Sequence, residues 1–296
     1  MKLSARAPAK INRELRVGGV RSDGYHEIRS RVVAIDLADG IEVEAGDGDL
    51  ALSCSGLPIP CDESNLVVRA GRALANHLGR PAHATIRLNK EIPPGAGLGG
   101  GSSDAARALA LLSELWNARL TREDLAAVAA SLGSDVPFFL VGGEAELSGR
   151  GEHVTPLGDS EPADLLVLVP PFSLSTAEVY AMHRRLASES VDRRLPAVLE
   201  VESSGKFFGP NDLALAVLET RVEMSVLLDS ARSLAPESAI TGSGSAIVLV
   251  GAAADAEERL AARHPDARVL RCRTLTREEY RLRTESSGGS QWRSPR

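Results

Sequence analysis

The stretch PPGAGLGGGSSDAARALALL, Pro93 to Leu112, sets five glycines and two serines directly ahead of a run with helical apolar spacing. Glycine lets backbone N–H groups turn toward a ligand at φ values other residues resist, and a helix start adds unpaired N–H groups and the positive end of a dipole. The ligand such a segment suits is an anion, most simply a phosphate. A Walker A loop would end in GK[ST], whereas Gly101 is followed by Ser102. The dinucleotide fingerprint GxGxxG fits Gly95, Gly97 and Gly100, but it should follow a strand at once, and Pro93 and Pro94 intervene. A flexible Gly/Ser connector needs no helix start behind it. Phosphate binding is the favoured reading, with the atoms that cradle the anion drawn from Pro93, Pro94, Gly95, Ala96, Gly97, Leu98, Gly99, Gly100, Gly101, Ser102 and Ser103.

The rest of the chain decides what that loop serves. At 296 residues it is long enough for one large or two medium domains with adequate cores. A formal charge of -6 gives no basic footprint for a nucleic-acid backbone. Cys54, Cys61 and Cys272 are odd in number and lack metal-site spacing, which argues against a disulfide framework or structural zinc and fits a cytoplasmic protein. The opening MKLSARAPAKIN has no apolar signal core, and runs such as LLVLV are too short to span a bilayer, so no membrane partner is expected.

Alternation through Ile11, Arg13, Leu15 and Val17, and again through Arg31 to Ala45, predicts strands separated by the RSDGYH turn. Ser64 is placed as the cap of a helix carrying Leu66, Val67, Ala70, Leu74 and Leu78, and ATIRLN reads as strand. The quoted loop opens a helix with Ala105, Ala108, Leu109, Leu112 and Trp116 on one stripe, and Thr121 with Asp124 forms a capping-box start for a helix ending at Gly133. From LLVLV onward, buried-looking strands (AIVLV, ARVLRC) alternate with helical runs (TAEVYAMHRRLA, NDLALAVLETR, DAEERLAARH). The polar GDSEPA stretch suggests a boundary that divides the chain into units 1–158 and 159–283, with a disordered tail over 284–296.

A phosphate cradle alone does not make a catalyst. One charge at a helix start is worth at most about 2 kcal/mol, whereas enzymes lower barriers by roughly 8 kcal/mol or more. Lys10 in APAKIN and Asp135 in GSDVPFF are the candidates for the rest, because each is a charge among apolar neighbours, where an unpaired ion is costly. Paired in one site, the carboxylate would accept an acceptor hydroxyl's proton and the ammonium would offset charge building on a phosphoryl group. On spacing alone two plainer readings stand level with this one: Asp135 as the cap of a short VPFF helix, and Lys10 as a strand-edge gatekeeper. Tyr25 is one of three tyrosines, and a flat aromatic face suits a base, although Tyr25 also reads as turn packing and Tyr180 as one residue of an amphipathic helix.

These residues together resemble the GHMP family of small-molecule kinases. PPGAGLGGGSSDAA is similar to its phosphate-binding loop, PAKIN to the segment with its catalytic lysine, GSDVPFF to that with its catalytic aspartate, and TGSGSAIVLV to its third motif. The resemblance implies an α+β, two-domain GHMP kinase fold, with an N-terminal unit like the second domain of ribosomal protein S5 and a ferredoxin-like C-terminal unit. It implies ATP and Mg2+ as cofactors, Lys10 and Asp135 as catalytic residues, and Ser102 and Ser103 as the contacts nearest the metal. RSDGYHEI is similar to the signature of members that phosphorylate a cytidine diphosphate sugar alcohol. By that likeness Tyr25 and Tyr180 would sandwich the cytosine ring, His26 would hydrogen-bond it and Asn12 would also contact substrate. Homoserine or phosphomevalonate as the acceptor would share the loop but leave GYH unused, and a non-catalytic nucleotide-binding protein would leave Lys10 with Asp135 unexplained. GRGE and NDL are similar to structural landmarks of the family. The implied protein is a monomer or homodimer. Two departures stand out: Arg13 and Glu14 replace aliphatic or aromatic residues after PAKxN, which points to a more exposed strand there, and TGSGSA replaces SGSGP[ST].

Overall fold

The computed structural model describes residues 1–192 and 207–288, with side chains of 189–192 left aside. Strands β1 (Lys2–Val20) and β2 (His26–Glu44) form one long antiparallel hairpin closed over the expected RSDGY turn. Its register shifts between Pro8 and Lys10 and between Asn12 and Glu14; such bulges re-aim side chains locally. Strand β3 (Ala51–Gly56) runs parallel to β4 (Thr85–Lys90), with α1 (Leu66–His77) as the crossover between them. Helices α2 (Gly100–Leu115), α3 (Arg122–Leu132) and the short α4 (Phe138–Val141) follow, then the hairpin β5 (Glu144–Ser148) and β6 (His153–Pro156), whose first strand pairs with β2.

The helices cover this sheet through a core that includes Leu74, Ile86, Leu88, Leu109, Leu112 and Phe138. Each such side chain, fully buried, contributes about 1.5–3 kcal/mol. The α1 cap is Asn65, one residue beyond the expected Ser64: its side chain accepts from Val67 N, while the Ser64 hydroxyl is drawn to Asp62. The Thr121–Asp124 capping box is present as expected.

The second unit runs β7 (Asp164–Val169), α5 (Thr176–Asp192), α6 (Ala214–Thr220), α7 (Glu223–Arg232), β8 (Ser238–Ile240), β9 (Ile247–Val250), α8 (Ala256–Arg263) and β10 (Arg268–Arg273). Its sheet order is β10-β7-β9-β8 with every neighbouring pair antiparallel, the ferredoxin-like arrangement. The coil between β6 and β7 contains the GDSEPA stretch. The chain beyond β10 does not stay with this unit. Leu275, just before α9 (Arg277–Thr284), and Tyr280 within it enter the first core, and β11 (Ser287–Gly288) pairs with Leu3 and Ser4 of β1. The tail expected from 284 therefore starts with residues held on β1; residues 289–296 lie outside the described part.

Strand β1 at Arg13 is not the more exposed strand its sequence suggests. Arg13 is buried, donates to Glu144 at 2.7 Å and to Phe207 O at 3.0 Å, and its guanidinium lies 4.3 Å from the Phe207 ring centre. Glu144, on β5, also accepts from Arg31 and Ser160. A buried cation is tolerated here because its partner comes from 131 residues away in sequence. Among the described residues no helix is long and apolar enough to cross a membrane.

Candidate active site

Between the two units lies a cleft of about 830 Å³. It is lined by Lys10, Asn12, Tyr25, His26, the loop from Pro93 to Ser102, Asp135 and Tyr180, so segments spread over 170 positions of sequence meet in one space. Ser103 is the exception among the expected site residues: it is buried, its hydroxyl donates to Pro8 O at 2.7 Å and its amide to Gly99 O at 2.9 Å. That serine ties the loop to β1, and only Ser102 faces the cleft.

The loop is held at three points. Lys10 N donates to Leu98 O, Ala246 N of the third motif donates to Ala96 O, and Leu98 and Ala96 side chains sink into the core between the two sheets. Gly99 is the N-cap of α2 at φ +71°, and a Cβ there would stand 2.8 Å from Phe139 Cζ and 3.0 Å from Lys10 Cγ. No residue but glycine satisfies both the backbone angle and that approach. The amides of Gly100, Gly101 and Ser102 open the helix and have no intrahelical acceptor, which leaves unpaired donors along this rim of the cleft.

Lys10 and Asp135 meet beside it. The Lys10 ammonium is buried, 3.4 Å from an Asp135 carboxylate oxygen, and donates to Asn12 Oδ1 at 2.7 Å. The Asn12 side chain in turn donates to Ser30 Oγ at 2.8 Å, and its backbone N–H donates to Thr241 Oγ1 at 2.7 Å. Asp135 does not cap the following helix; the N-cap of α4 is Pro137, and no side chain caps it. Its side chain is 35% exposed, open to whatever enters the cleft. Tyr180 feels that carboxylate: burial first, and the Asp135 charge second, push its phenol up to about 12.

At the other end, Tyr25 is 52% exposed, with the Arg150 guanidinium 5.1 Å over its ring. The His26 ring stacks on Tyr180 at 5.4 Å between centroids and meets His183 edge-on at 6.0 Å. His26 Nδ1 lies 3.0 Å from Gly18 O, so in the neutral ring that nitrogen carries the hydrogen and Nε2 is the acceptor, without a partner among the described residues. Burial, then the neighbouring His26, lowers the pKa of His183.

Several lining residues were not anticipated from sequence. Arg150, legible in the sequence only as part of the GRGE landmark, lines the cleft. Asn65 and Leu66 at the start of α1, and Lys90 at the end of β4, also border the cleft. Lys90 is buried with Asp39 and Asp104: its ammonium bonds Asp39, and Asp104 Oδ2 at 2.8 Å, while Asp39 also accepts from Glu91 N and Ile92 N. Burial, reinforced by Asp39, pushes the Asp104 carboxyl well above the usual range, against the pull of Lys90. Burial opposes the Lys90 charge, yet the two acids outweigh it and raise its pKa. The one available signal was the scarcity of lysine, four in the chain.

Comparison with known proteins bears on this geometry. Residues 65–143, which carry the loop and Asp135, match the family described as GHMP kinases N terminal domain. The chain is 40% identical over 272 residues to a protein of Salinispora tropica named 4-diphosphocytidyl-2-C-methyl-D-erythritol kinase, covering 87% of this chain and 86% of that one. It is 38% identical over 246 residues to a protein of the same name from Delftia acidovorans, covering 81% and 84%. A crystal structure of 4-(cytidine 5'-diphospho)-2C-methyl-D-erythritol kinase superposes with a TM-score of 0.73 at 33% identity, over 92% of this chain and 98% of that one.

Proposed function

Because the chain belongs to the 4-diphosphocytidyl-2-C-methyl-D-erythritol kinases of the GHMP family, we propose that its cleft moves the γ-phosphoryl group of ATP to the 2-hydroxyl of that cytidine-linked polyol, a step in non-mevalonate isoprenoid precursor synthesis. The observation that carries this reading is the convergence of Lys10 and Asp135, 3.4 Å apart, on the rim formed by the glycine-loop amides. The nucleotide's phosphates sit against the amides of Gly100 to Ser102. Asp135 accepts the proton of the 2-hydroxyl, the new O–P bond forms as the bond from the γ-phosphorus to the β–γ bridging oxygen breaks, and ADP leaves. Lys10, held by Asn12, offsets charge on the phosphoryl oxygens in flight. Tyr25 and Tyr180 border the space for the cytosine ring, and the His26 Nε2 lone pair suits its amino group.

Mg2+ fits as an ion carried in by the nucleotide. No cluster of three or more His, Cys, Asp or Glu side chains that could hold a metal exists among the described residues, and Ser102 supplies a hydroxyl at the loop. The ion's part would be to screen the phosphate charges. The protein is placed in the cytoplasm, acting as a monomer or homodimer.

A coupled assay for ADP release tests the reading, with 4-diphosphocytidyl-2-C-methyl-D-erythritol, homoserine and phosphomevalonate as rival acceptors. Turnover is expected with the cytidine compound alone; equal or greater rates with either of the others would overturn it. Tyr25→Ala is expected to raise KM for the cytidine substrate about 10-fold, the scale of one base–aromatic stack, with KM for ATP unchanged.

A further inference from the structure

Tyr280 lies on α9, outside the lining of the cleft, yet it is bonded to α4, the short helix that follows the turn carrying Asp135. Its hydroxyl donates to Phe139 O at 2.6 Å, inside the first core. Phe139 is the second residue of α4, and this carbonyl falls where the helix has ended and no further amide turns back to meet it. The chain leaves α4 through Gly142 at φ +66°, where a Cβ would stand 2.0 Å from Tyr280 Cδ1, so the tyrosine ring occupies the space beside that turn. The Phe139 ring reaches the other way, to the point where Gly99 and the Lys10 stem converge. Two further ties bring the same segment to the site. Leu275 N donates to Ala34 O and Ala34 N to Gly143 O, and Ala34 is the cross-strand partner of Lys10. Arg107, seven residues into the helix opened by Gly100, donates to Thr284 O at 2.9 Å, at the end of the helix that carries Tyr280.

We infer that Tyr280 is a positioning residue for phosphoryl transfer: its hydroxyl fixes α4 so that Asp135 stands at working distance from Lys10 and the glycine loop. The chain past β10 thus acts as a latch on the back of the site. A bond to Phe139 O constrains the base without touching either substrate, so losing it should disturb alignment and leave binding intact. This rests on the assignment of Asp135 as the proton acceptor.

Tyr280→Phe keeps the ring that fills the space beside Gly142 and removes only the hydroxyl. In the full chain it is expected to lower kcat on the order of 10-fold, with KM for ATP and for the cytidine substrate within twofold of wild type. A purely structural role would lower the melting temperature and leave kcat per folded molecule unchanged. The kinetic cycle with Asp135→Asn gives the second readout: once the base is gone, Tyr280→Phe should cost nothing more in kcat. Unchanged kcat in Tyr280→Phe, or an equal loss on top of Asp135→Asn, overturns the inference. Near-normal turnover of Asp135→Asn alone instead overturns the assignment it rests on. Should Tyr280→Phe fail to fold, Arg107→Met, which removes the donor to Thr284 O at the end of the same helix, carries the same test of a kcat loss at constant KM.

Discussion

Two lysine–carboxylate groups border the same glycine turn, and they are built in opposite ways. Lys10 meets one acid at 3.4 Å, and that acid, Asp135, is 35% exposed to the cleft. Lys90 meets two acids, Asp39 and Asp104, all three at most 3% exposed. A charge pair open on one side can exchange a proton with a ligand; in a sealed cluster with two acids on one ammonium, burial and the second acid favour the protonated form of one acid, and it is the Asp104 carboxyl that they push up. The same residue types are therefore open to a ligand at one flank of the loop and sealed into the architecture at the other. What separates them is access, since Lys90 also lies 2.8 Å from where a Cβ at Gly100 would be, directly beneath the first turn of α2.

If that division holds, substitutions in the two groups should affect different observables. The largest effect is expected from Lys90→Met, which strands the buried acids and should cost about 3–5 kcal/mol of stability, read from the urea midpoint. A change in turnover at undiminished stability would instead place Lys90 in the chemistry. Next, Asp135→Asn should lower kcat at least about 100-fold while stability moves by no more than about 1 kcal/mol, the scale of a part-exposed pair; stopped turnover with a collapsed melting transition would erase the contrast.

Asp104→Asn is expected to have the smallest effect, about 1 kcal/mol or less, the scale of one hydrogen bond, and it sharpens the comparison through pH. An unfolded aspartate titrates near 3.9, and the folded Asp104 carboxyl titrates well above the ordinary value. The native chain thus holds the extra proton in the window between them. Stability from this group is full below the unfolded value and is lost as pH rises through the folded one. Asparagine mimics the protonated form permanently, so the variant should lack that decline. Urea midpoints followed upward from about pH 4 check it, and parallel curves for variant and wild type would refute a proton on Asp104.

The amino-acid sequence determined the features whose causes are local. The phosphate loop and its helix, the capping box at Thr121, the long strands either side of RSDGY, and Lys10 and Asp135 as charges in apolar settings all follow from spacing and backbone preference within about ten residues of sequence. Only the tertiary structure decided which charges were sealed and which were open. Arg13 is buried because Glu144 comes to it from 131 positions away, Lys90 because Asp39 does from 51, and Ser103 turns from the cleft because Pro8 offers a carbonyl from 95. The helix bearing Tyr280 went unread for the same reason. Its hydrophobic content is slight, and its value lies in one hydroxyl reaching Phe139 across 141 residues. Burial and ion pairing depend on which distant segments pack together, and short-range periodicity carries no record of that.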